Sequence, residues 1–124
     1  MIVDTSFLLD LLEGNRAAFE KGEHLHAENV AFNIPVMTVA ELFIGISSTR
    51  SDDEARQVEN VIMGHQVLEM DEQIARKAGW IMGQSDLSPG DACIGATATI
   101  RDEPVLTANV RDFQRISGLS IETY

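Results

Sequence analysis

From Asp91 to Ile100 the chain reads Asp-Ala-Cys-Ile-Gly-Ala-Thr-Ala-Thr-Ile, and nothing after the opening aspartate is charged. A surface helix needs a polar face, so a helix of this composition must be buried on most sides. Ser88 suits its cap and Pro89 its first turn. Its small residues allow it to lie close against a sheet, despite the weak helix propensity of Gly95. The segments around it supply the layers. Ile2-Val3, either Val30-Ala31-Phe32 or Ile34-Pro35-Val36, then Val67 to Met70, Val105 to Thr107 and Leu119 to Ile121 read as short strands. Between them lie helical patterns: the run from Phe7 to Leu12, a polar segment from Arg16 to Glu28, and a stripe of Val39, Leu42, Phe43 and Ile46. A polar loop from Ser47 to Asp53 precedes a helix over 53–64 carrying Ala55, Val58, Val61 and Ile62. An Asp71-capped helix with Ile74, Ala78, Ile81 and Met82 follows, in which Trp80 reads as a packing residue, and a last short helix spans Asn109 to Ile116. Strands alternating with helices predict an α/β fold, a three-layer α/β/α domain with a central parallel sheet.

A core of this kind is within reach of a chain of 124 residues that is 44% hydrophobic, and the length corresponds to one domain, residues 1–124. No stretch approaches the ~20 consecutive apolar residues of a membrane span, and the start lacks a basic secretion signal, so the expected location is cytoplasmic, with no membrane partner. The single cysteine, Cys93, leaves no intrachain disulfide or cysteine-rich zinc site and reads as a small buried residue. His24 and His26 alternate along a helix and so do not share a face. Nine Lys and Arg against twenty Asp and Glu give a net charge of −11. That balance disfavours long-range attraction of nucleic acid unless bound metal ions invert the local sign or high salt screens it.

The acids have an order of their own. Asp4 stands where the first strand should end, and in parallel α/β sheets ligands bind beyond the carboxyl ends of the strands. Thr38-Val-Ala-Glu41, Ser88-Pro-Gly-Asp91 and Asn109-Val-Arg-Asp112 each place an acid three residues after a candidate cap. Taken singly, each is explained by capping and by the helix dipole, an explanation that Asp4 lacks. Taken together, if each of these helices follows a strand of one sheet, their starts bring four carboxylates toward a single edge. Like charges so gathered call for a hard cation such as Mg²⁺ or Mn²⁺.

The set of Asp4-Thr5-Ser6, Glu41 in an apolar helix, Asp91 opening Asp-Ala-Cys-Ile-Gly-Ala-Thr-Ala, and the run Leu106-Thr107-Ala108-Asn109-Val110-Arg111-Asp112-Phe113 resembles the PIN-domain family. More narrowly, it resembles the VapC-like toxins of toxin–antitoxin pairs, in motif order across essentially the whole chain. The resemblance implies a divalent-metal-dependent endoribonuclease. In that reading Asp4, Glu41, Asp91 and Asp112 form the catalytic and Mg²⁺- or Mn²⁺-binding set, Ser6, Thr107 and Asn109 support it, and Arg111 and Arg115 are candidate RNA contacts. The bland alternatives are a helix cap for Ser6 and surface ion pairing for the arginines. A water activated by the ion is the expected nucleophile. The resemblance also implies a homodimer and a small antitoxin partner, with the Val39–Ile46 stripe either contact surface or core. Asn109 departs from the family, in which a fourth aspartate is common, and favours one firmly bound ion. It also keeps open a catalytically weak RNA or protein adaptor. A receiver-type phosphotransfer domain would need a mid-chain phosphoacceptor aspartate and a late lysine, neither of which is evident.

Overall fold

The computed structural model describes all 124 residues. Five strands, β1 (Ile2–Val3), β2 (Asn33–Pro35), β3 (Gln66–Leu68), β4 (Val105–Leu106) and β5 (Ile121–Glu122), form one sheet in the order β3-β2-β1-β4-β5. Every pairing is parallel. The helices are α1 (Thr5–Leu12), α2 (Arg16–Ala27), α3 (Val36–Thr49), α4 (Asp52–Met63), α5 (Glu72–Gln84), α6 (Pro89–Arg101) and α7 (Val110–Phe113).

Alternation along the strands divides the core in two. Ile2 and Val105 face a cluster with Ile74, Ala78, Ile81, Ala92 and Ile94 from α5 and α6. Val3 and Leu106 face the other side, where Phe7, Leu8, Leu25, Leu42 and Val58 come from α1 to α4. The three-layer expectation is met, with α6 buried along most of its length. The chain winds outward from β1 to β3, returns, and continues on the other side through β4. The order therefore reverses between β1 and β4, the place where an open sheet parts its loops and leaves a crevice.

Several local expectations change. The second strand is Asn33–Pro35, and α3 starts directly at Val36 with Pro35 as its cap and no capping side chain. Thr38 is thus inside the helix, fully buried, and its hydroxyl donates to the Val3 carbonyl at 3.1 Å. Helix α3 runs on through Ser47 and Ser48 to a left-handed Arg50, leaving only a short break before Ser51 caps α4. Trp80 is 65% exposed: Ile74, Ala78 and Ile81 make the buried stripe of α5, and residue 80 stands about 100° around the helix from it. Phe43 likewise turns outward beside exposed Ile44, while Leu42 is buried. Helix α7 is a single turn, and Cys93 is only half-buried. The close approach allowed by Gly95 is to Ile116, just after α7, and to Phe113 at the end of α7, more than to a strand.

Candidate active site

At the switch point β1 ends and α1 begins without a loop. Asp4 is consequently both strand end and helix cap, accepting from the Ser6 amide at 3.4 Å, so it does have a capping role and Ser6 is not the cap. Capping is a small part of its surroundings. The Ser6 hydroxyl donates to Asp4 Oδ2 at 2.6 Å, and the Thr107 hydroxyl, from the end of β4, donates to the same oxygen at 2.7 Å. Each hydroxyl also accepts a backbone amide from the following loop, Ser6 from Ala108 at 3.1 Å and Thr107 from Asn109 at 2.8 Å. With both protons given to Asp4, the 3.2 Å approach of the two hydroxyls to each other is a contact without a proton in it. All protein donors thus converge on Oδ2. No buried side-chain oxygen lacks a partner, so Oδ1 is the part of this 4%-exposed residue that meets solvent.

Glu41 lies one turn beyond Thr38 on α3, and Thr5 donates its hydroxyl to Glu41 Oε1 at 2.8 Å. Thr5 has no role in the sequence reading; a hydroxyl directly after a strand-ending aspartate is the signal that would have marked it. Gly90 lies against the same carboxylate, where a Cβ would stand 3.0 Å from Glu41 Oε2. Asp91 is the third residue of α6, with its amide donating to the capping Ser88 hydroxyl at 3.1 Å as expected.

The electrostatics tie these groups together. Burial, then the charges of Asp4 and Asp91, raise the Glu41 carboxyl above its ordinary value against the opposing Thr5 bond. Burial, then Asp4, raise Asp91 likewise, with a smaller push from Asp112 and an opposing Ser88 bond. Burial and the Glu41 charge also raise the Cys93 thiol. No ion pair reaches Asp4, Glu41 or Asp91. Asp112 differs: it accepts from Asn109 Nδ2 at 3.0 Å and has Arg115 at 3.8 Å. Arg115 also donates to the Asp86 carbonyl, whereas Arg111 is exposed.

The fold therefore gathers Asp4, Glu41 and Asp91 as uncompensated acids, with Asp112 partly neutralised at the margin. Their oxygens are the hard donors that Mg²⁺ or Mn²⁺ takes, but no three such side chains close around one point. An ion here would therefore need water or substrate oxygens to complete its shell. Asp4 is buried, Glu41, Asp91 and Asp112 are half-buried, and none of the four lines a sizeable crevice. The two largest crevices, about 610 and 470 Å³, are elsewhere, between α2 and the β2–β3 edge and between α1, α3 and α4. A polymer laid across the surface fits such a site better than an engulfed small molecule.

A family model described as PIN domain matches residues 1–119. Among solved structures, DNA-bound VapBC from Salmonella typhimurium contains a chain 27% identical, with a TM-score of 0.81 over 98% of this chain and 96% of that one. A toxin–antitoxin complex from Klebsiella pneumoniae matches at 25% identity and a TM-score of 0.75, covering 95% and 93%. VapBC2 from Rickettsia felis, bound to a promoter DNA fragment, shares the fold at a TM-score of 0.85 and 17% identity, covering 99% and 97%. No curated protein matches the chain.

Proposed function

The chain belongs to the PIN domain family, and on that premise we propose that it is the toxin of a toxin–antitoxin pair, a divalent-metal-dependent endoribonuclease. The observation that carries the reading is the convergence of Asp4, Glu41 and Asp91 at the switch point with no basic side chain paired to them. Asp4, through Oδ1, with Glu41 and Asp91 would hold Mg²⁺ or Mn²⁺ directly or through water, since the three do not close around one point by themselves, and Asp112 would stand at the edge of the set. When bound, the ion makes a water nucleophilic near neutral pH and offsets charge on the scissile phosphate.

The chain's own groups prepare that chemistry. Ser6 and Thr107 spend their protons on Oδ2 and so keep Oδ1 turned outward. Thr5 holds Glu41 in its rotamer. Asn109 donates one amide N–H to Asp112 and adds no charge, which favours one firm ion over two. Exposed Arg111, and Arg115 beside Asp112, would meet RNA phosphates and counter the −11 charge of the chain locally.

Two partners accompany the reading. An antitoxin would occupy the crevice between α1, α3 and α4, lined by Leu9, Leu12, Leu42, Ile46 and Val58, beside exposed Phe43 and Ile44. A second copy of the chain would complete a homodimer, in the cytoplasm. No helix is long and apolar enough to cross a membrane.

The test is cleavage of RNA by the purified chain with Mg²⁺ or Mn²⁺ and with EDTA, repeated for Asp4→Asn and Asp91→Asn. Each substitution should lower metal-dependent cleavage by roughly 100-fold or more. Cleavage that survives both would refute the site assignment. RNA binding with no cleavage at any salt concentration would favour the adaptor reading that Asn109 suggests.

A further inference from the structure

The final residues, Ile121 to Tyr124, do more than close the sheet. The Glu122 carbonyl accepts the Thr107 amide at 3.0 Å, so β5 holds the residue whose hydroxyl binds Asp4. The Glu122 carboxylate pairs with Lys21 on α2. Ile121 packs into the α5–α6 side of the core, while Tyr124 crosses the sheet edge and packs on the α1 side. There its ring meets Phe7 edge-on, centroids 5.2 Å apart at 70°, and its hydroxyl donates to Asp10 Oδ2 at 2.6 Å. Asp10 lies one turn after Ser6 on the same face of α1. The tyrosine therefore ties the last strand to the stretch of α1 that carries Ser6, and Ser6 and Thr107 are the two hydroxyls that orient Asp4.

We propose that Tyr124 is a positioning residue for the acidic centre, and that residues 121–124 form a strap joining β4 to α1 so that Thr107 and Ser6 meet on Asp4 Oδ2. The strap reaches both sides of the Asp4 cradle: Glu122 at the Thr107 backbone, Tyr124 at the Ser6 helix. Burial, then the hydrogen bond and charge of the Asp10 carboxylate, push the phenol well above its ordinary value. The consequence for an ion rests on the metal-dependent reading above, whereas the strap does not.

Tyr124→Phe keeps the ring on Phe7 and removes only the bond to Asp10. Two readouts decide the matter. In metal-free protein, amide exchange at Thr107 should quicken several-fold in Tyr124→Phe and in Asp10→Asn, and the double variant should be no worse than either alone. In the presence of Mn²⁺, the affinity measured by calorimetry should fall up to roughly 10-fold, the low end for partners bonded directly to metal ligands, because Tyr124 acts on Asp4 through Asp10 and the Ser6 helix. RNA cleavage should then recover as Mn²⁺ is raised. Wild-type exchange at Thr107 in Tyr124→Phe would overturn the proposal. If the wild type bound no Mn²⁺ at all, the metal reading would fail and the exchange ratio would still decide the strap.

Discussion

Replacing Thr107 by valine removes one hydroxyl from the centre of the site and almost nothing else. The side chain is fully buried and valine has nearly its shape, so no cavity opens. What goes is the 2.7 Å bond to Asp4 Oδ2 and the acceptor for the Asn109 amide at 2.8 Å. A hydrogen bond to a charged group contributes about 1.5–3 kcal/mol. Asn109 is half-buried, so water takes over part of its loss. Asp4 retains the Ser6 hydroxyl and amide. The expected cost is about 2–3 kcal/mol, or roughly 10 °C in melting temperature for a domain of this size. Thr107→Ser keeps the hydroxyl and loses a methyl group, worth about 1 kcal/mol. Urea denaturation in EDTA, with constant slope, separates the two. If valine and serine cost the same, the hydroxyl does not hold Asp4 and the account of the cradle is wrong.

Three further outcomes are expected. Glu41→Gln keeps an acceptor for Thr5 and removes a charge that Asp4 and Asp91 oppose. Because the folded carboxyl titrates above its ordinary value, the wild type loses stability as pH rises through that range. Metal-free Glu41→Gln should therefore melt about 2–5 °C higher at pH 7, with the gain vanishing in acid and Mg²⁺ stabilising the wild type alone. Glu103 is the opposite case. Burial pushes it up, but hydrogen bonds from the Met1 ammonium, Arg101 and Asn33 outweigh burial and hold it below the usual range. Its stabilisation is present above the ordinary glutamate value and lost as pH falls through the folded one. Glu103→Gln should cost about 1–2 kcal/mol at pH 7 and little once the pH lies below the folded value, read by thermal melts across pH. Gly95→Ala would put a methyl group 2.2 Å from Ile116 Cδ1. Ile116 is buried, so overpacking should exceed the gain in helix propensity and leave a net loss of about 1 kcal/mol by denaturation.

Some of this was legible residue by residue. The uncharged run after Asp91 required a helix wrapped by neighbours, and α6 is that helix, because burial of a whole surface leaves no position for charge. Ser88 and Asp71 cap helices as short-range chemistry dictates, since a cap needs only its own next few amides. Where the same rule failed, tertiary contact had overridden it. Thr38 looks like a cap, but α3 springs directly from β2 and the hydroxyl serves Val3 instead. Trp80 looks like core, but the stripe is defined by what packs against α5, and a side chain one position off that line meets water.

The four acids and their order along the chain are written in the sequence, as are the short strands and helices that carry them. These depend on neighbours within a few residues, and periodicity exposes them. Only the tertiary structure decided how the acids are used. It placed the reversal of strand order between β1 and β4, so that Thr107, far along the chain, donates to Asp4. It also separated Asp112, quieted by Asn109 and Arg115, from the three acids left without a counter-charge. Periodicity along a chain carries no information about which strand ends become neighbours, and the electrostatics of the site follow from that choice.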